Sequence, residues 1–96
     1  FPHYLKSTDE NNYENICCTK YPYMIGRFHN CDHVIESPYI SRFHAQLLKD
    51  DEEIAIKDLN SMNGTYVNGR RLEANESIIL RFGDEVALAN FCYKYI

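Results

Sequence analysis

Thr65-Tyr66-Val67-Asn68-Gly69-Arg70-Arg71-Leu72 is the stretch that decides the fold. A β-branched and aromatic run meets Asn-Gly, the pair that best tolerates the two positive φ angles of a type I′ hairpin turn. Outward from this hairpin the same period-2 logic recurs in short runs bounded by turn residues. Upstream, strands are expected at Tyr4-Leu5, Tyr13 to Cys18, Tyr21 to Ile25, Val34-Ile35, Ala45 to Leu48 and Ile54 to Lys57. Downstream they are expected at Ile78 to Phe82, Val86 to Leu88 and Phe91 to Ile96. Polar turns are expected at Thr8 to Asn12, Asp50-Asp51-Glu52, Gly83-Asp84 and Asn90. No amphipathic helix of credible length is present. The expectation is one all-β domain over residues 1–96, an antiparallel β-sandwich of about ten or eleven short strands.

Composition bounds the function. Ninety-six residues make one domain, and 45% hydrophobic content suffices for a core. Ten Lys plus Arg against fourteen Asp plus Glu give a net charge of −4. An acidic chain without a basic run argues against general affinity for nucleic acid or anionic membrane. The longest apolar runs, such as Ile78-Ile79-Leu80, are too short to span a bilayer, and no signal-peptide pattern is visible. The chain opens at Phe1 without an initiator Met, so it is expected to be a piece excised from a longer protein. Cys17, Cys18, Cys31 and Cys92 form no CxxC and make a poor disulfide framework. They read as small buried or half-buried residues of a reducing, cytoplasmic setting, or of the cytoplasmic face of a membrane if the longer protein is anchored.

Three polar clusters sit at strand boundaries: Gly26-Arg27, Ser41-Arg42-Phe43-His44, and Asn60-Ser61-Met62-Asn63-Gly64-Thr65. The strand after His44 runs out to the Asp50-Asp51-Glu52 turn and the next runs back. The Ser41 and Asn63 loops therefore lie at one end of that hairpin, where a hydroxyl, a guanidinium and a carboxamide come together. Counting does not place Arg27, because the course of the short Val34-Ile35 strand is open.

The ordered series Ile25-Gly26-Arg27, Ser41-Arg42-Phe43-His44-Ala45 and Asn63-Gly64-Thr65-Tyr66-Val67-Asn68-Gly69 closely resembles the forkhead-associated (FHA) domain family. Asp32, Asp58-Leu59 and Gly83-Asp84 extend the likeness over essentially the whole chain. The resemblance implies a β-sandwich without catalytic activity or cofactor that binds phosphothreonine peptides, an adaptor in signalling pathways often served by Ser/Thr kinases. Phosphothreonine carries nearly two negative charges and three acceptor oxygens, so its site needs forked donors, a hydroxyl and backbone N–H groups. By the resemblance, Arg27 and Ser41 contact the phosphate, Arg42 contacts phosphate or peptide backbone, and Asn63 holds the peptide main chain. Tyr39, after Pro38, falls in the loop that often reads the third residue after the phosphothreonine, and an apolar preference is expected there. Gly26 and His44 read as structural, with His44 bracing its loop. Gly64 and Gly69 are expected to supply positive φ, Thr65 to satisfy a loop backbone group, and Asn68 to form the turn. Met62 departs from the pattern, standing where many members carry Ser or Thr. It either packs against neighbouring loops or borders the phosphothreonine methyl group.

Three other readings compete. His29, Cys31 and His33 alternate, and in an extended segment would point one way, as metal ligands do; a fourth ligand with suitable spacing is missing. Ser41 and His44 with Asp58 or Asp84 have the residue types of a hydrolase, but neither a Gly-x-Ser-x-Gly elbow nor a nucleotide-binding glycine loop is present. The third reading is phosphate-independent assembly through a sandwich face.

Overall fold

In the computed structural model, which describes residues 3–8 and 14–96, eleven strands form two facing sheets and no helix occurs among the described residues. The strands are β1 His3–Ser7, β2 Ile16–Cys18, β3 Tyr23–Gly26, β4 His33–Val34, β5 Ala45–Asp50, β6 Glu53–Asp58, β7 Thr65–Val67, β8 Arg70–Arg71, β9 Ser77–Ile79, β10 Glu85–Leu88 and β11 Phe91–Tyr95. One sheet has the order β2-β1-β11-β10-β7-β8, the other β4-β3-β5-β6-β9. Every pairing is antiparallel except β3 with β4, which is parallel, so the second sheet is mixed. Asn68 and Gly69 take φ of 51° and 83°, the type I′ turn expected of Asn-Gly. The Asn68 side chain does more than turn the chain. Its Oδ1 accepts from the Glu85 N–H at 3.0 Å and its Nδ2 donates to Asp84 at 3.2 Å, which ties the hairpin to β10.

Alternation along the strands fills the space between the sheets with Leu5, Ile16, Ile25, Leu47, Ile54, Ile56, Val67, Val86, Leu88 and Tyr93. Each large aliphatic buried in this way contributes about 1.5–3 kcal/mol, so apolar packing dominates the stability. Several boundaries differ from the sequence expectation. β3 begins at Tyr23 rather than Tyr21; Pro22 has no N–H to give a ladder. β9 ends at Ile79, and Phe82 is exposed because the chain turns at Gly83-Asp84, where Asp84 accepts the Arg81 N–H. The expected start of the second strand at Tyr13 and most of the Thr8–Asn12 turn lie outside the described residues. The cysteines divide: Cys18 and Cys31 are buried, whereas Cys17 and Cys92 are exposed. Strand alternation turns Cys17 and Cys92 to the outer face.

A buried polar frame ties the loops at one end. His44 has 0% of its surface exposed. Its Nδ1 accepts the Ser41 N–H at 3.1 Å, which leaves the proton on Nε2, 2.9 Å from the Gly64 carbonyl. The ring therefore links the Ser41 loop to the Asn63 loop. Asp58, also buried, accepts the Ser61 hydroxyl and N–H and the Thr65 hydroxyl. The expectation that Thr65 serves a backbone group is thus corrected: its hydroxyl goes to the Asp58 carboxylate at 2.8 Å. Gly26 completes the frame for a steric reason. A Cβ there would stand 2.1 Å from the Arg42 carbonyl oxygen, so only glycine lets β3 pass beneath the Ser41-Arg42 loop.

Two outcomes follow from this frame. Gly26→Ala must push backbone against backbone, so denaturant unfolding should show a loss of about 2 kcal/mol or more; an unchanged midpoint would mean the Arg42 carbonyl has room to move. Burial holds the His44 pKa below its ordinary value, against the opposing pull of the Gly64 carbonyl and Asp58. Below an unfolded value of about 6.5 the unfolded chain takes up a proton that folded His44 refuses. Stability is then complete above that pH and falls as pH drops through it. An NMR titration of the His44 ring should show a neutral Nε2–H tautomer at pH 6.5; an imidazolium there would contradict the assigned bonds.

Candidate functional site

The loops that this frame holds carry the polar residues singled out in the sequence. Arg27 follows the last residue of β3, and its backbone N–H donates to the Ser41 carbonyl at 3.0 Å. This contact supplies the placement that strand counting left open. The Arg27 Nε donates to the Ile40 carbonyl at 3.0 Å, which fixes the guanidinium beside Ser41 and leaves the N–H groups of its two Nη atoms as further donors. The Ser41 Oγ accepts the Met62 N–H at 3.0 Å. With that lone pair occupied, the Ser41 hydroxyl hydrogen is the part left to donate. Arg27, Ser41 and the Met62 amide thus converge, drawn from three separate loops.

Arg42 anchors the site through its backbone: its carbonyl accepts from the Phe28 N–H at 3.2 Å and the Cys31 thiol at 3.3 Å, while its side chain is exposed. Asn63 Nδ2 donates to the Tyr39 carbonyl at 2.8 Å, which joins the two loops again and leaves Oδ1 of this exposed residue as an acceptor. Beside this bond Tyr39, 58% exposed, Asn63, Ala89 and Asn90 line a hollow of about 290 Å³. Met62 is 81% exposed, so it does not pack against neighbouring loops, the first of its two expected roles. Gly64, at φ 91°, is where the loop turns into β7. Sequence reading missed Arg71, which donates through Nη2 to the Met62 carbonyl at 3.0 Å. On a two-residue strand it looked like ordinary hairpin filling.

Electrostatics favour an anion here. No carboxylate lies within 4 Å of the Arg27, Arg42 or Arg71 guanidinium among the described residues, although the chain is acidic. The ion pairs that do form, Lys20 with Asp32 and Arg70 with Glu76, involve none of these three. Asp32 is kept well ionised by the Met24 amide and by Lys20, which lower its pKa.

Two rival readings fail on geometry. His29, Cys31 and His33 do not share a face, because residues 27–32 turn rather than extend. The Cys31 thiol is buried against the Arg42 carbonyl, and no cluster of three metal-ligating side chains forms among the described residues. Ser41, His44, Asp58 and Asp84 do not assemble into a hydrolytic triad. His44 Nδ1 is bonded to the Ser41 backbone N–H and not to its hydroxyl, and Asp58 is bonded to Ser61 and Thr65. Asp84 binds Asn68 at the Asn-Gly turn.

Comparison with known proteins agrees with this geometry. The family model of the FHA domain matches residues 23–89. The chain is 37% identical to the DNA damage response protein kinase DUN1 of Saccharomyces cerevisiae, covering 74% of this chain and 16% of that protein. It is 35% identical to the oxoglutarate dehydrogenase inhibitor of Corynebacterium diphtheriae, covering 74% of this chain and 48% of the relative. The chain therefore spans less than half the length of either relative. Among solved structures, Mycobacterium tuberculosis EmbR in complex with a low-affinity phosphopeptide superposes with a TM-score of 0.86 at 26% identity, over 98% of this chain and 24% of EmbR. An FHA domain from Chlamydia trachomatis gives 0.83 at 27% identity, over 100% and 97%. A family match across both the Gly26-Arg27 and Asn63-Gly64 loops, on a sandwich superposing over its full length, establishes that this chain belongs to the FHA domain family.

Proposed function

We propose that this chain is a non-catalytic module that binds a phosphothreonine peptide across the loops at one end of its sandwich. The observation that carries the reading is the Ser41 hydroxyl, oriented by the Met62 N–H beside an Arg27 guanidinium whose Nε is already tied down. A fixed fork and an aimed hydroxyl match the oxygens of a dianionic phosphate and avoid the entropy of ordering free side chains. Arg27 and Ser41 take the phosphate, Arg42 takes the phosphate or the adjoining peptide backbone, and Asn63 Oδ1 takes a peptide N–H. The hollow beside Tyr39 receives an apolar side chain three residues after the phosphothreonine. The phosphopeptide complex of EmbR supports this reading. The partner is a phosphorylated protein, in keeping with a Ser/Thr kinase pathway. A reducing, cytoplasmic setting is proposed on the cysteine pattern alone, four cysteines with no CxxC and an adjacent Cys17-Cys18 pair.

Arg27→Ala should cost about 2 to 4 kcal/mol of phosphopeptide binding, a loss of roughly 30- to 1000-fold, with the fold intact. Ser41→Ala should cost about 1 to 2 kcal/mol, since one neutral hydroxyl is lost. Titration calorimetry on folded Arg27→Ala showing less than about a threefold change would overturn the assignment.

Met62 supplies a finer test. Its thioether donates no hydrogen bond, so Met62→Thr should restore a donor and tighten binding by about 0.5 to 1.5 kcal/mol. If the exposed Met62 side chain folds over the phosphothreonine methyl group, wild type should prefer phosphothreonine to phosphoserine severalfold, as one buried methyl is worth about 0.8 kcal/mol. Matched peptides measure both. Binding by Met62→Thr that is no tighter sinks the missing-donor argument, and selectivity equal in both proteins removes Met62 from threonine recognition.

A further inference from the structure

Arg70 and Arg71 are neighbours on a strand, so their side chains leave opposite faces, and the structure treats them differently. Arg70 is neutralised: its two Nη groups meet the two carboxylate oxygens of Glu76, and Glu73 acts on it as well. Arg71 turns the other way, towards the phosphopeptide loops. Its Nε lies 2.9 Å from where a Cβ of Gly64 would stand, and the Tyr66 ring lies 2.9 Å from the same point. The guanidinium therefore lies over Gly64 in space that any larger residue would fill. Its Nη2 bond to the Met62 carbonyl fixes its position.

That bond also measures how near Arg71 is to the site. Met62 holds Arg71 by its carbonyl and Ser41 Oγ by its N–H, each at 3.0 Å. The N and O of one residue are only about 3 to 3.5 Å apart, so Arg71 Nη2 lies within about 10 Å of the Ser41 hydroxyl. A neutral carbonyl uses one N–H of the guanidinium and none of its charge, and no carboxylate answers that charge among the described residues.

Sheet order settles which flank Arg71 occupies. β7 lies between β10 and β8. Gly64 receives the Ala89 N–H on the β10 side, where the Tyr39 hollow opens, and meets Arg71 on the β8 side. Arg71 and the hollow thus stand on opposite sides of the Asn63-Gly64 stretch. With the hollow taking the residue three after the phosphothreonine, the β8 flank faces the residues before it.

We infer that Arg71 forms a second anion subsite, which binds an acidic side chain of the peptide on the N-terminal side of the phosphothreonine. The inference rests on the phosphothreonine reading of the main site. It adds a preference to that reading: an acidic residue upstream, an apolar one downstream. Arg71 is also a positioning residue for the Met62 peptide unit, and the two roles separate by charge dependence.

The test uses degenerate peptides with phosphothreonine fixed and either Glu or Gln fixed at each of the four preceding positions. Wild-type protein should bind the Glu series about three- to fivefold more tightly than the Gln series at one or two of these positions, with the difference shrinking at high salt. Arg71→Gln should abolish that difference, whatever loss both series share through the missing Met62 bond, and Arg71→Lys should recover part of it. A Glu preference that persists in Arg71→Gln, or is absent from wild type that still requires the phosphate, overturns the anion subsite. An Arg71→Gln protein weakened equally for both series assigns Arg71 to positioning alone and likewise overturns it. Binding by wild type that ignores the phosphate, or survives Arg27→Ala, overturns the underlying reading instead.

Discussion

The His44 imidazole, sealed from solvent, receives the Ser41 N–H on one nitrogen and meets the Gly64 carbonyl with the other. Those two backbone groups belong to loops that strand pairing alone does not join, and both would be costly to bury unbonded. A neutral ring with one donor and one acceptor satisfies both at once. The Ser41 hydroxyl, the Met62 amide and the Asn63 carboxamide then occupy fixed places relative to one another. Gly26 adds the steric half of the same constraint, because the Arg42 carbonyl sits where its Cβ would be. Apolar packing sets how stable the sandwich is; these polar and steric contacts set what its end presents.

Charge is arranged with similar economy. The chain carries more carboxylates than cations, yet Arg27, Arg42 and Arg71 are left without ion pairs among the described residues while Arg70 has Glu76. An unpaired arginine held by carbonyls keeps its full charge available to an incoming anion. The net acidity disfavours polyanions such as nucleic acid, and in the proposed reading the local arginines suit a small, doubly charged group. Overall charge and local charge thus point to different classes of ligand, and the local arrangement decides what binds.

Much of this was legible in the chain. Asn68-Gly69 announces its turn, alternation at Ile54 and Ile56 announces a half-buried strand, and counting along one hairpin brings Ser41 and Asn63 together. Arg27 could not be placed that way, because β4 returns parallel to β3 through a turn whose path no local pattern encodes. The alternation of His29, Cys31 and His33, already short of a fourth ligand, means a shared face only in extended backbone, and residues 27–32 turn. Thr65 went to a carboxylate rather than a backbone group because Asp58, seven residues away, is buried beside it. Arg71 was invisible because its importance lies in a long-range contact to Met62. Exposure of Cys17 and Cys92 follows from strand phase, which composition does not contain.

The central claim is that the site is preformed: buried bonds fix the loops before any ligand arrives. A crystal structure of the chain with a phosphothreonine peptide tests it most directly. The account predicts that the backbone of residues 26–28, 40–44 and 61–65 superposes on the free form within about 1 Å. It also predicts that the phosphate lies between the Arg27 Nη groups and the Ser41 hydroxyl, with both His44 bonds intact. A peptide seated elsewhere on the sandwich, or a bound form in which the His44 bonds to Ser41 and Gly64 are broken, would contradict it.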